Sequence, residues 1–190
     1  MRDTTEPDDA GADRGDPVLA GLPGGTPGAG VLTGTARFHP DRSAARRARA
    51  LMDEWLTSWW GPVAEDRPER AQLRDRMAVV LSELVSNAVV HGQRGRRPSD
   101  GRAQLEVELH EFDETVRLVV ADRSRRGGEP AFRPPADPVL PPPAAQSGRG
   151  LFIVDQLADL WHAQPMSDGL VVWCDFALEG RPPGGPAVSP

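Results

Sequence analysis

The sequence predicts a two-layer α/β (α+β) sandwich in which three helices pack on a mostly antiparallel β-sheet. Three observations support this prediction. Two segments before residue 90 carry apolar side chains at helical spacing, and residues 105–121 have the pattern of two strands joined by a short turn. Farther along, Gly-Arg-Gly precedes a third apolar helix and a last strand. With 190 residues, the chain has room for one domain with a single core, plus tails.

The first half of the chain predicts one strand and two helices. Residues 31–38 form the strand, and Asp41 or Ser43 can cap the helix that follows. That helix covers residues 44 to about 60, because apolar side chains recur there at helical spacing. A second helix runs from about residue 69 to residue 90, and its predicted buried stripe is Leu73, Met77, Val80, Leu81, Leu84, Val85 and Ala88.

The second half predicts a hairpin, a third helix and a last strand. Apolar and polar side chains alternate over residues 105–110, which is typical of a strand with one buried face. Residues 112–114 then turn the chain into a more apolar strand at 115–121, so we expect an antiparallel pair. The third helix is predicted from Leu151 to about Trp161, and the last strand covers residues 169–176.

Three segments fall outside this regular pattern. Residues 1–30 and 181–190 contain few large apolar side chains and are predicted to be disordered tails, because they cannot bury enough surface to offset their ordering entropy. The predicted domain therefore covers residues 31–180. Within it, the proline-rich segment at about 123–147 is too long for an ordinary connection and predicts a lid, a binding loop or a disordered segment.

Composition excludes several classes of protein. The net charge of −6 argues against direct nucleic-acid binding, which requires a concentrated basic surface. Cys174 is the single cysteine, so the sequence offers neither a disulfide framework nor a cysteine pair for a metal. The sequence shows neither a signal peptide nor a membrane-spanning segment, so we predict a cytoplasmic protein without a membrane partner.

Glu83 and Asn87 are the first candidates for chemistry. They are four residues apart on the second predicted helix, so their side chains lie on one face, and Asn87 is the only asparagine in the chain. A carboxylate can act as a general base, and an amide oxygen can ligate Mg²⁺ without repelling phosphate. Taken alone, this spacing favours an ordinary polar pair on a solvated helix face.

Two further motifs follow along the chain. Asp122 ends an apolar strand, where it could hold a recognition group at the rim of a pocket or begin a turn. Gly148-Arg149-Gly150 opens the third helix, and free backbone N–H groups at a helix start can bind an anion. Glycines at such a position also serve any tight turn.

The order of these parts resembles the GHKL ATPase domain of gyrase, heat-shock chaperones, histidine kinases and mismatch-repair proteins. Within that group, the sequence is most similar to the branch of anti-sigma-factor serine/threonine kinases. Residues 83–92 resemble its N box, residues 120–124 its adenine-binding G1 segment, and residues 148–154 its phosphate-binding G2 segment. The resemblance extends over roughly residues 35–178.

The resemblance implies a Bergerat-type ATP-binding fold with ATP and Mg²⁺ as cofactors. By this comparison Asn87 would hold Mg²⁺, Glu83 would be the general base, and Asp122 would bind the adenine amine. A solvent-facing role for the arginine of the G2 segment is equally compatible. The implied phosphate-binding residues are Gly148, Arg149, Gly150 and Leu151.

The implied function is that of a cytoplasmic protein kinase with a regulatory, anti-sigma role. Its phosphate acceptor would be an anti-anti-sigma protein and its sequestered partner a sigma factor, with a homodimer possible. Two departures from the family pattern support an alternative, a catalytically inactive ATP-binding interaction module. Residues 123–126 lack the glycines that usually follow Asp122, and Val171 stands where the last strand usually has a threonine.

Two other classes fit less well. The catalytic half of a histidine kinase is disfavoured, because no phosphoacceptor helix pair precedes the domain in this sequence. A DNA-binding regulator is disfavoured by the net charge of −6.

Overall fold

Three helices and five strands make up the part of the chain that the structure describes. The structure is a computed structural model, and its described residues are 31–61, 68–92, 104–112, 114–123, 149–166 and 169–178. The predicted tails, residues 124–147 and Gly148 lie outside these residues. In chain order the elements are β1 (Val31–Phe38), α1 (Ala44–Trp60), α2 (Pro68–Gly92), β2 (Leu105–Glu111), β3 (Thr115–Asp122), α3 (Arg149–Leu157), β4 (Leu160–Met166) and β5 (Gly169–Ala177).

The five strands form one sheet in the order β1-β2-β3-β5-β4. Each neighbouring pair is antiparallel, and β2 and β3 form the predicted hairpin, with Leu105 opposite Asp122 and Glu111 opposite Val116. The helices pack on one side of this sheet. The predicted two-layer sandwich of three helices on an antiparallel sheet is therefore confirmed.

The core lies between the helices and the sheet. Six of the seven residues predicted for the buried stripe of α2 are buried, and Ala88 is half-buried. Cys174 also lies in this core, and burial raises the pKa of its thiol, which therefore stays protonated. The sheet contributes to the core through alternate residues of its central strands: Leu105, Val107, Leu109, Val116, Leu118, Val120, Val172, Cys174 and Phe176.

Asp41 fixes the start of α1. Its Oδ1 accepts hydrogen bonds from the backbone N–H and the hydroxyl of Ser43, both at 2.7 Å. These hydrogen bonds lower the pKa of the Asp41 carboxyl. The Ser43 side chain makes no capping hydrogen bond, so of the two predicted caps it is the aspartate that organises this turn.

The prediction that β2 buries only one face is wrong. All residues from Leu105 to His110 are buried, including three with polar side chains. The strand lies between β1 and β3, and Glu106 accepts hydrogen bonds from Arg37 and Arg123, each at 3.1 Å. The alternation correctly predicted which residues of β2 share a face, but it did not predict that the polar face is buried. Burial of that face is tolerated because its charges are paired.

The third helix is shorter than predicted. It ends at Leu157, and the chain then forms β4, a strand that the sequence did not predict. Trp161, where the helix was predicted to end, lies in β4, and its Nε1 donates to Asp155 Oδ1 at 3.0 Å. Pro165 weakens the strand signal, but β4 is at the edge of the sheet, where a proline is tolerated.

None of the described helices combines the length and apolar character that a membrane span requires.

Candidate functional site

Helix α2 presents Glu83 and Asn87 on one side, one turn apart. Both side chains are half-buried, whereas the intervening Leu84 and Val85 are buried in the core. The apolar stripe therefore fixes the rotation of α2 and leaves the two polar side chains at the border of the helix layer. This is the placement that the i, i+4 spacing predicted.

The start of α3 lies directly against this pair. Gly150 is buried, and a Cβ atom built on it would lie 2.9 Å from Asn87 Nδ2 and 2.9 Å from Glu83 Oε2. Any side chain here would compete for space with both polar groups, so glycine is what permits the approach. The structure thus brings together three of the predicted site residues at what we call the α2–α3 junction: Glu83, Asn87 and Gly150.

The α2–α3 junction has the chemistry of an anion site beside a cation ligand. The N–H groups of the first turn of α3 have no partners within the helix, and the helix dipole favours negative charge there. The carboxylate of Glu83 and the amide oxygen of Asn87 stand beside that helix end. These groups fit a phosphate chain with Mg²⁺, a cation that takes few protein ligands and completes its shell with phosphate and water.

The described residues were also compared with the requirements of an all-protein metal site. Among the described residues there is no group of three or more His, Cys, Asp or Glu side chains that could hold a metal ion by themselves.

Asp122 occupies the end of β3, opposite Leu170 of β5. By strand alternation its side chain belongs to the helix-covered side of the sheet, with that of Val120. Gly169, the first residue of β5, contacts the Asp122 backbone so closely that a Cβ atom there would overlap the Asp122 carbonyl oxygen. Sequence reasoning missed Gly169, because no local motif reveals an approach between strands.

The register of β5 changes the meaning of Val171. Its side chain packs with Val119 and Ala121, in a cluster separate from the main core. It therefore lies on the opposite sheet face from the side to which Asp122 belongs. The absence of a threonine at this position removes no group from the Asp122 side of the sheet in this structure.

Arg123 stands directly after Asp122, where the family pattern usually has glycine-rich sequence. Its backbone N–H donates to the carbonyl of Gln104 at 2.9 Å, so pairing with the β2 side continues past Asp122. Its Nε donates to Glu106 Oε2 at 3.1 Å. Arg123 is thus fixed to the sheet. The contact between Arg123 and Glu106 could not be predicted from the alternation of polar and apolar residues in β2.

The remaining predicted site residues are Gly148, Arg149 and Leu151, at or near the start of α3 in the sequence. Gly148 lies outside the described residues. Arg149 is the first residue of α3, and Leu151 is half-buried in its first turn. The predicted helix start at this point is confirmed, and the roles of these residues stay predictions.

Comparison with known families identifies the class of protein. The family described as "Histidine kinase-like ATPase domain" matches residues 38–175. This chain belongs to that family, so the resemblance to the GHKL ATPase domain is confirmed. The matched residues include Glu83, Asn87, Asp122 and Gly150.

One solved structure among those similar to the chain contains the RsbU and RsbW domains of Rv1364c from Mycobacterium tuberculosis. The two share 20% sequence identity with a TM-score of 0.48, over 75% of this chain and 32% of that one. This chain therefore spans about a third of the length of that relative. The search of curated proteins finds no match.

Proposed function

We propose that this protein is an ATP-binding regulator of the anti-sigma-factor serine/threonine kinase type. It binds ATP with Mg²⁺ at the α2–α3 junction and phosphorylates an anti-anti-sigma protein, and it sequesters a sigma factor in the cytoplasm, with a homodimer as its possible assembly. The observation that carries the proposal is the approach of Gly150 to within contact of both Glu83 and Asn87. Membership of the histidine kinase-like ATPase family supports it.

Each candidate site residue has a defined task in this proposal. Asn87 holds Mg²⁺ through its amide oxygen, and the cation neutralises charge on the phosphates. The backbone N–H groups of Gly148 and Gly150 donate to phosphate oxygens at the start of α3. Asp122 accepts a hydrogen bond from the adenine amine at the end of β3.

Glu83 acts on the acceptor hydroxyl. Its carboxylate takes the proton as the serine or threonine oxygen bonds to the γ-phosphorus. The bond from that phosphorus to the β,γ-bridging oxygen breaks, and ADP leaves with the electron pair. Because this chemistry depends mainly on positioning and charge stabilisation, the geometry of α2 against α3 is its main requirement.

A second candidate function is an ATP-binding interaction module that transfers no phosphate. The contacts of Arg123 favour this function. In the family, glycine-rich sequence usually follows the aspartate that corresponds to Asp122. In this chain Arg123 follows it instead, continues the pairing with the β2 side and binds Glu106. Such a module would bind ATP saturably and use it to change its affinity for a regulatory partner.

A phosphoryl-transfer assay separates the two functions. We expect the wild type, given γ-labelled ATP, Mg²⁺ and an anti-anti-sigma protein, to form phosphoserine or phosphothreonine together with ADP. Glu83→Gln should reduce the rate about 10²- to 10⁴-fold, which is the usual contribution of a general base. The control is Asp75→Asn, an exposed carboxylate on the same helix, which should leave the rate unchanged.

The possible outcomes are distinct. Saturable ATP binding without ADP formation or a phosphorylated acceptor would contradict the kinase and support the interaction module. Absence of ATP binding by the wild type would contradict both functions.

A further inference from the structure

Arg76 connects α2 to the far end of α3. Its Nε and Nη2 donate to the carbonyl oxygen of Leu157 at 2.9 and 2.7 Å, and Nη2 lies 3.0 Å from Asp159 Oδ2. Leu157 is the last residue of α3, where backbone carbonyls lack partners within the helix. A guanidinium at this position satisfies such a carbonyl and complements the negative end of the helix dipole.

The same point is also tied to the sheet. Asp159 donates its backbone N–H to the carbonyl of Asp175 at 3.0 Å, and its Oδ2 accepts the N–H of Ala177 at 2.8 Å. The Arg76 guanidinium lies 5.7 Å from the centre of the Phe176 ring. Arg76 and Asp159 thus fix the C-terminal end of α3 against both α2 and β5.

The opposite end of the same helix contains Gly150, in contact with Glu83 and Asn87 of α2. Helix α3 has nine residues, so its two ends are about 13 Å apart. Arg76 precedes Glu83 by about two helical turns. The backbone hydrogen bonds of the helix hold its two ends in a fixed relation, so fixing one end restricts where the other end stands.

We propose that Arg76 is a positioning residue for the nucleotide site. By fixing the C-terminal end of α3 on α2, it keeps the backbone N–H groups near Gly150 in place beside Glu83 and Asn87. The inference rests on the proposed function, because it assumes that the start of α3 receives the phosphates of ATP.

This role makes a prediction that a merely structural role does not. The phosphates of ATP contact the start of α3, whereas the adenine contacts Asp122 at the end of β3. Loosening α3 should therefore weaken the binding of ATP and leave the binding of adenosine, which lacks phosphates, nearly unchanged. General damage to the fold would weaken both ligands alike.

The experiment titrates the full chain with ATP and Mg²⁺ and, separately, with adenosine. We expect Arg76→Gln to raise the Kd for ATP on the order of tenfold and the Kd for adenosine by less than about twofold. Arg76→Lys keeps the charge and one donor centre, and should recover part of the ATP affinity. The matched control is Arg74→Gln, because Arg74 lies on the same helix but binds Asp53 of α1, at 2.7 Å.

Thermal unfolding of each variant shows whether it folds. If Arg76→Gln does not fold, Asp159→Asn tests the same link, because it removes the ion pair while its side-chain oxygen can still accept the N–H of Ala177. We expect it to raise the Kd ratio of ATP to adenosine about threefold.

An unchanged ratio in a folded variant of Arg76 or Asp159, or the same shift in Arg74→Gln, would overturn this inference while leaving the proposed function in place. Failure of the wild type to bind ATP would overturn both.

Discussion

The two faces of the sheet treat polar groups in opposite ways. Within the described part of the chain, the outer sheet face, which lies away from the helices, buries five charged or titratable residues: Glu106, Glu108, His110, Arg117 and Asp175. Three ion pairs and the 2.8 Å contact of His110 Nε2 with Glu108 Oε2 hold them, and Arg117 binds Asp175 by two hydrogen bonds of 2.6 and 2.7 Å. At the α2–α3 junction, Glu83 and Asn87 are only half-buried, and they face the backbone of Gly150.

The difference separates groups that stabilise the fold from groups that we propose bind a ligand. A buried charge is tolerated when an opposite charge satisfies it, and removal of one partner leaves the other at a high free-energy cost. Among the described residues, Glu83 and Asn87 of the junction form no ion pair, and their neighbour is a glycine at the start of a helix. Mutations in the two regions should therefore change different measurements.

The largest expected effect is on stability, at the outer sheet face. Arg117→Met should lower the free energy of unfolding by about 3 kcal/mol, because it leaves the Asp175 carboxylate buried without its partner. The affinity for ATP should remain within about twofold of the wild type, because Arg117 lies on the opposite side of the sheet from α2 and α3. Denaturant unfolding and ATP titration measure the two quantities.

The double variant Arg117→Met/Asp175→Leu is the control. Replacing both members of a buried ion pair by apolar residues of similar size is often neutral or stabilising, so it should recover most of the loss. Equal instability of the single and double variants would show that the cost arises from packing and not from an unpaired charge.

Smaller effects are expected from substitutions at two glycines, Gly150 at the site and Gly34 in the fold. Gly150→Val should lower ATP affinity by about tenfold, as expected when a backbone donor loses a charged partner. The atoms that it meets are the ends of the Glu83 and Asn87 side chains, which can move, so the loss of stability should be below about 1 kcal/mol.

Gly34→Ala is the matched substitution, and it should change stability instead of ATP affinity. Its Cβ atom would overlap the ring of Trp55, so overpacking should cost about 1–3 kcal/mol in stability while ATP affinity stays unchanged. If Gly150→Val reduced stability and spared ATP binding, the contrast between the site and the fold would be wrong.

Periodicity explains which elements the sequence could predict. The long apolar stripes of α1 and α2, the alternation in β2 and the apolar runs of β3 and β5 gave the sandwich, because each is a local pattern. β4 was missed because it contains Pro165, and only its pairing with β5 defines it. Burial of the outer face was missed because its pairs are remote in sequence, as in Arg117 and Asp175.

The candidate site was predictable to a similar degree. The i, i+4 spacing indicated Glu83 and Asn87, and the resemblance to a family connected them to Gly150. The contacts that shape the site could not be read from local sequence, because they join residues that are distant along the chain. Gly169 against the Asp122 backbone and Arg76 on the end of α3 are of this kind.

Binding of ATP at the α2–α3 junction is the central claim, and isothermal titration with ATP and Mg²⁺ tests it most directly. The wild type and Ser86→Ala, an exposed neighbour on α2, should bind equally well. Asn87→Ala and Asp122→Ala should each lose most of the affinity, because one removes the cation ligand and the other the acceptor for the adenine amine. Unchanged ATP binding in Asn87→Ala and Asp122→Ala would contradict the account.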